Sequence, residues 1–149
     1  MRLTLIAAPL IALGLSGCSV TPSLEDVGSF FGIDTDAEAA IAVREECAAL
    51  DMAIAANLSS SVNAREEEQP YADAFRRQSG RTLDEAVRLR MEDEGSDRTT
   101  AYRTSSRRVR ELTRKQAIEM NDRAIADDTG ILDNNWVNDQ RLDCQEALS

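Results

Sequence analysis

A regular apolar period between Thr35 and Leu58 is the feature that most constrains how this chain can fold. Thr35, followed three residues later by Glu38, is typical of a capping box and predicts where a helix begins. Alanine is frequent in the segment, which predicts close contact with a neighbouring helix. Apolar residues recur at steps of three and four, and so share one helical face: Ala40, Val43, Cys47, Leu50, Ile54 and Leu58.

Further helices are predicted beyond Pro70, which interrupts the first one. A second helical piece runs from Pro70 to about Gln78, with Gly80 as its expected C-terminal cap. Thr82 and Glu85 form another capping box, which opens a separate segment. This pattern predicts two short helices between residues 70 and 94.

A break at Gly95 precedes a long helix, predicted from Asp97 to about Ala126. Its apolar face is thin, because Ser105 and Gln116 interrupt it. We expect the remaining apolar positions to face the core: Tyr102, Val109, Leu112, Met120 and Ala124.

A last helix is predicted after the turn Asp128-Thr129-Gly130. It carries Trp136, Val137, Cys144 and Leu148. No window alternates like a strand for more than a few residues. We therefore predict an all-α domain over residues 35–149, a small bundle of four or five helices.

The N-terminal residues 1–17 have the layout of a secretory signal peptide. Arg2 precedes an apolar stretch from Leu3 to Leu15, which is shorter than the ~20 residues that a membrane-spanning helix needs. Residues 18–34, with Pro22 and two glycines, are predicted to form a short tether between this signal and the helical domain.

The end of the apolar stretch, Leu15-Ser16-Gly17-Cys18, resembles the lipobox of bacterial lipoprotein precursors. The resemblance implies cleavage before Cys18, a diacylglycerol on its sulfur and an acyl chain such as palmitate on its new amine. Three acyl chains suffice for stable anchoring. Ser19, where inner-membrane members carry Asp, favours the periplasmic face of the outer membrane. An ordinary signal peptide with a chance cysteine is the alternative.

Two cysteines remain once Cys18 is assigned to the lipid: Cys47 and Cys144. An even number of cysteines in an oxidising compartment predicts a disulfide between them. Closing a loop of about 100 residues contributes about 4–5 kcal/mol in the chain-entropy model. Such a crosslink suits a small domain in which only 4% of residues are aromatic. Two free thiols are the alternative.

Charge is unevenly distributed along this acidic chain, whose formal net charge is −10. Basic residues dominate between Arg98 and Lys115, and acidic ones dominate between Glu119 and Glu146. Helical spacing places four arginines on one stripe, a candidate face for an anion or a partner: Arg103, Arg107, Arg110 and Arg114. We favour the alternative, in which the stripe is solvated or pairs internally with the acidic final segment.

Catalytic and metal-binding signals are weak. The chain has no histidine, and it contains no Gly-rich phosphate loop, Gly-x-Ser-x-Gly or calcium-loop pattern. The acidic runs 66–68 and 92–94 offer a carboxylate pair, but among 27 acids this has little specificity. We expect no enzyme activity, no cofactor and, for an acidic exported protein, no nucleic-acid partner.

Trp136 and Cys144 enclose seven residues, which resembles the Trp-x₇-Cys element of the exported lysozyme-inhibitor-like family. Cys47, with Leu50 and Asp51, is similar to the upstream cysteine element of that family. The sequence departs from the family where Asp139-Gln140-Arg141 replaces aromatic-Arg-Asp, and the two elements lie further apart. The resemblance implies a small helical binder of a cell-wall hydrolase.

The sequence therefore favours a non-catalytic, lipid-anchored module that binds another protein of the envelope. An inhibitor or binder of a cell-wall hydrolase is the alternative. The acidic charge suits the second reading, because lysozymes are typically basic and opposite charges speed association.

Overall fold

The protein is all-helical in the residues that the computed structural model describes, 35–60 and 66–149, where it has no strand. Its four helices are α1 (Thr35–Ser60), α2 (Gln69–Glu94), α3 (Arg98–Asp127) and α4 (Asn135–Ala147). Short 3₁₀ turns at Glu66–Glu68 and Ile131–Asp133 precede α2 and α4. The predicted helical bundle is confirmed, whereas the signal peptide and tether, residues 1–34, lie outside the described residues.

Helix α1 is the centre of the bundle and packs against α2, α3 and α4. Its predicted apolar face supplies Leu50, Ile54 and Leu58, which lie in one core cluster with Met120 and Val137. Fully buried alanines on α1 let the neighbouring helices come close enough for polar contacts with its backbone. Small side chains thus replace aromatic bulk in this core.

Two polar contacts show how close the helices approach on the alanine side of α1. The Ser79 hydroxyl donates to the Ala48 carbonyl at 2.7 Å, and the Thr113 hydroxyl donates to the Ala49 carbonyl at 3.4 Å. Both bonds satisfy groups that burial would otherwise leave without a partner. They join α2 and α3 to the same turn of α1.

A buried ion pair joins three helices toward the N-terminal end of α1. Arg90 Nη2 donates to Glu45 Oε1 at 2.9 Å, and Arg90 Nε donates to the Ser105 hydroxyl at 3.1 Å. Glu45 is only 4% exposed, so this carboxylate depends on Arg90 for its charge partner. Arg90 also bonds to Glu94 on its own helix. A charged contact therefore joins α1, α2 and α3 beside their buried apolar residues.

The two short helices predicted between residues 70 and 94 form one continuous helix, α2. Gly80 is not a C-terminal cap, since within the described residues the only glycine with positive φ is Gly95, which ends α2 at φ 61°. Thr82 is not a helix start either, because it is buried and its hydroxyl donates to the Gln78 carbonyl at 3.2 Å. Burial of Ser79 and Thr82 against the bundle keeps the helix intact through Gly80.

Helix α3 begins and ends close to the predicted residues. Asp97 is its N-cap and accepts hydrogen bonds from the backbone N–H groups of Thr99 and Thr100. One prediction on this helix is wrong: Tyr102 is 50% exposed, and the core positions beside it are taken by Ala101 and Ser105. Close packing of the helices here admits small side chains and leaves no space for a phenol ring.

The predicted turn between α3 and α4 is present, with Asp128 in the left-handed region at φ 52°. Fully buried Asn134 organises it. The Asn134 side-chain oxygen accepts from the backbone of Trp136 and Val137, while its amide donates to Asp127 Oδ2 and to the Thr129 hydroxyl, both at 3.0 Å. One side chain thus caps α4 and holds the turn.

The predicted disulfide is confirmed. Cys47 on α1 is bonded to Cys144 on α4, with 5.6 Å between their Cα atoms. The bond closes the chain across 97 residues and ties the shortest helix to the central one.

Candidate functional site

A groove of about 610 Å³ opens beside the disulfide, between α2 and α4, with α1 as its floor. Helical spacing brings its residues together, since those on α2 and those on α4 each recur at steps of one turn. The α1 residues are Cys47, Leu50 and Asp51; the others are Tyr71, Ala74, Phe75, Gln78, Arg141, Cys144, Gln145 and Leu148. We call this the disulfide groove.

Asp51 is the single acidic side chain among the described residues that line the groove. Burial raises its pKa to about 6, and the positive charge of Arg141 opposes that shift. No hydrogen bond or ion pair joins the Asp51 carboxylate to another described residue. Near pH 7 it is therefore mostly ionised, with its acceptor oxygens open to a partner.

Two aromatic side chains of α2 and the Arg141 guanidinium of α4 line the groove together with Asp51. The Arg141 guanidinium lies over the Phe75 ring, 5.2 Å from its centroid, and Arg141 Nη1 donates to Asn138 Oδ1 at 3.5 Å. Tyr71, one turn before Phe75, is 57% exposed. The groove thus offers an apolar surface, a carboxylate and a guanidinium, together with the side-chain amides of Gln78 and Gln145.

The four arginines of the predicted stripe lie together on the solvent side of α3. All four are exposed, and the side chains that α3 buries are on the opposite side of the helix. The expected pairing with the acidic final segment is absent: no ion pair within 4.0 Å joins any of them to another described residue. Fold-back pairing does not form because α4 packs on α1 and leaves the outer side of α3 uncovered by described residues.

The other candidate residues are dispersed. In the acidic run 92–94, Glu92 pairs with Arg88 and Glu94 pairs with Arg90, so both carboxylates form ion pairs within α2. Trp136 is half-buried against the core, with the Arg123 guanidinium 4.8 Å from its ring centroid. Cys18, the predicted lipidation site, lies outside the described residues.

Sequence reasoning missed the groove as a site. The sequence singles out Asp51 only through the resemblance to a cysteine element, and it gives no link between Asp51 and Tyr71, Phe75 or Arg141. A signal did exist, because Tyr71, Phe75 and Gln78 recur at steps of four and three on one side of α2. Only the disulfide pairing shows that this side meets α4.

No family model, curated protein or solved structure matches this chain. Within residues 35–60 and 66–149, no helix is long and apolar enough to cross a membrane. The same residues contain no group of three or more acidic or cysteine side chains arranged to hold a metal ion.

Proposed function

We propose that this chain is a non-catalytic protein of the bacterial envelope, held at the periplasmic face of the outer membrane by lipid on Cys18, and that it binds another envelope protein through the disulfide groove. The observation that carries the proposal is the groove itself. It places a carboxylate with open acceptor positions beside exposed aromatic surface on a rigid, crosslinked scaffold.

The side chains of the groove support binding rather than catalysis. Among the described lining residues, Asp51 has no second carboxylate, no serine or threonine hydroxyl and no free thiol beside it, and Tyr71 supplies the one hydroxyl group. The partner that fits would bring a hydrogen-bond donor or cation to Asp51 and an apolar side chain onto Tyr71 and Phe75. Such anchors at the centre of an interface usually carry most of its binding energy.

Site-specific crosslinking in intact cells tests the binding role. A photo-crosslinking phenylalanine analogue replaces Tyr71 in the groove or, as a matched control, Tyr102, which is similarly exposed at 50%. We expect a crosslinked partner protein from position 71 only, and we expect Asp51→Asn to reduce its yield. Equal crosslinking from both positions would overturn the proposal.

The anchor is tested separately by Cys18→Ala. We expect this variant to accumulate as unprocessed precursor or to become soluble, because the proposed lipid attaches through the Cys18 sulfur. Processing and membrane association like those of the wild type would contradict the lipoprotein assignment, whatever the outcome at the groove.

Binding of a cell-wall hydrolase is a second candidate. Cys47 and Cys144, which belong to the two elements that resemble the lysozyme-inhibitor-like family, are joined in the structure, and Asp51 lies beside them. A lysozyme activity assay with the protein in stoichiometric excess tests it. Inhibition that Asp51→Asn weakens would support this candidate, and full lysozyme activity would exclude it.

A further inference from the structure

The solvent side of α3 carries a row of four arginines that have no counter-charge. Arg103, Arg107, Arg110 and Arg114 lie within about 60° of one another around the helix axis and extend about 17 Å along it. All four are exposed, and no ion pair within 4.0 Å joins any of them to another described residue. We call this row the arginine stripe.

Neighbouring arginines of the stripe repel one another. They follow each other at steps of four, three and four residues, and like charges at these steps destabilise a helix. Glu111 of α3 and Glu38 of α1 line a cavity with Arg107, but neither forms an ion pair with it within 4.0 Å. Elsewhere on the described surface, Arg88 and Arg123 pair with acids of their own helices. An anionic partner would relieve the repulsion within the stripe.

Apolar side chains continue the stripe toward the C-terminal end of α3. Ile118 and Ile125 lie within about 40° of Arg114 around the helix axis. They are 56% and 71% exposed, and Asn121 between them is exposed and uncharged. The surface therefore changes along one line from cationic to apolar. A partner that covers the whole line needs an acidic part followed by an apolar part.

The spacing of the arginines points to a second helix as that partner. Along the axis of α3 they are about 6, 4.5 and 6 Å apart. Carboxylates at the same steps on another helix have the same separations, and arginine forms paired hydrogen bonds with carboxylates. In an extended chain, side chains on one side recur every ~6.7 Å and lose this register. We propose that the arginine stripe binds an acidic amphipathic helix of another protein, whose apolar side chains cover Ile118 and Ile125.

Other occupants match this surface less well. A flat anionic lipid surface would also approach Glu111 and Asp122, which flank the line, and would repel a chain whose net charge is −10. A phosphate polymer would meet the arginines and leave both isoleucines exposed. Residues 19–34 of this chain contain three acids, two of them adjacent, which cannot match four arginines at these steps.

Fluorescence anisotropy with a labelled synthetic helix tests the proposal. The probe is a peptide held helical by a hydrocarbon staple, with four glutamates at steps of four, three and four and a leucine one turn beyond each end of that row. A control peptide has the same composition, with its glutamates distributed around the helix. We expect the full chain, purified in a mild detergent, to bind the probe at least about tenfold more tightly than the control peptide. Binding should weaken as salt rises.

Charge reversal locates the binding surface. Arg107→Glu with Arg110→Glu should weaken binding of the probe at least about tenfold. This variant should melt no lower than the wild type, because it removes the repulsion between neighbouring arginines. The matched control is Arg77→Glu with Arg81→Glu on α2, at exposed positions with no ion pair among the described residues. This control should bind the probe like the wild type.

The disulfide groove and the arginine stripe are separate surfaces, since no described residue of α3 lines the groove. Asp51→Asn should therefore bind the probe like the wild type, whatever its effect on the partner of the groove. Equal binding of the two peptides, or binding that survives R107E with R110E, would overturn the proposal. Phosphatidylglycerol vesicles and inorganic polyphosphate are the further probes. Binding to either that R107E with R110E abolishes, without binding of the peptide, would assign the stripe to phosphate groups and overturn the proposal as well.

Discussion

At the residue scale, burial and a neighbouring charge have opposite effects on the pKa of Asp51. Its carboxyl group is largely buried on α1, with Arg141 near but without a hydrogen bond to a described residue. Burial favours the neutral acid, and the attraction of Arg141 is too weak to restore the usual pKa. The folded chain therefore holds a proton on Asp51 more tightly than the unfolded chain does.

This raised pKa predicts that stability falls as pH rises. Between about pH 4, near the unfolded pKa of Asp, and about pH 6, the folded pKa, the folded state binds more protons, so the free energy of unfolding decreases through that window. Asp51→Asn should remove this decrease and raise stability at pH 7 by about 1–2 kcal/mol, after a discount for partial exposure.

Urea unfolding at pH 3.5 and at pH 7 measures the Asp51 effect. The two proteins should be equally stable at the lower pH and should differ at the higher one. Asp84→Asn, at an exposed position with no ion pair among the described residues, is the matched control and should leave the pH profile unchanged. A destabilised Asp51→Asn at pH 7 would show that the ionised carboxylate is instead stabilised by its surroundings.

At the scale of the elements, α2 shows how tertiary contacts override a local signal. Gly80 lies in the helix interior on the exposed side, and a Cβ placed on it would meet nothing within 4 Å. Its neighbours Ser79 and Thr82 are buried, and the Ser79 hydroxyl bonds to α1. The glycine is therefore a weak point of α2 that packing tolerates.

Gly80→Ala is accordingly expected to stabilise the protein by about 0.5–1 kcal/mol, because alanine loses less backbone freedom on forming a helix. Gly95→Ala is the matched comparison. Gly95 has φ +61°, so the same change there should cost about 1 kcal/mol. Thermal melting followed by circular dichroism measures both. Equal shifts in the same direction for the two variants would contradict the continuous helix.

At the scale of the whole molecule, two different kinds of interaction hold the other helices on α1. Glu45 and Arg90 join α1 to α2, and Ser105 adds α3. The cluster around Ile54 and the disulfide at Cys47 hold α4. Helix α4 has only 13 residues, a length that is marginal for an isolated helix in water.

Loss of the disulfide should therefore release α4 first. The double variant Cys47→Ala with Cys144→Ala is expected to cost about 2–4 kcal/mol, while α1, α2 and α3 keep their helical structure at low temperature. Hydrogen exchange with mass spectrometry measures this, with protection lost mainly over residues 135–147. Uniform loss of protection across all four helices would show that the bundle depends on the crosslink throughout.

The sequence by itself determined the features that depend on a few neighbouring residues. The apolar period of α1, the start of α3 at Asp97 and the turn at Asp128 are local, because a cap or a turn is made within about four residues. The disulfide also followed from the sequence, since the predicted lipidation of Cys18 left two cysteines to pair.

Only the tertiary structure decided the features that depend on contacts between distant segments of the chain. Helix α2 continues through Gly80 because Ser79 and Thr82 are buried against the bundle. Local sequence patterns do not predict that burial. The arginine stripe faces solvent because α4 packs on α1 instead of covering α3. Asp51 became part of a groove because the disulfide brings Arg141 across from α4, and its pKa depends on that distant neighbour and on burial rather than on its own sequence context.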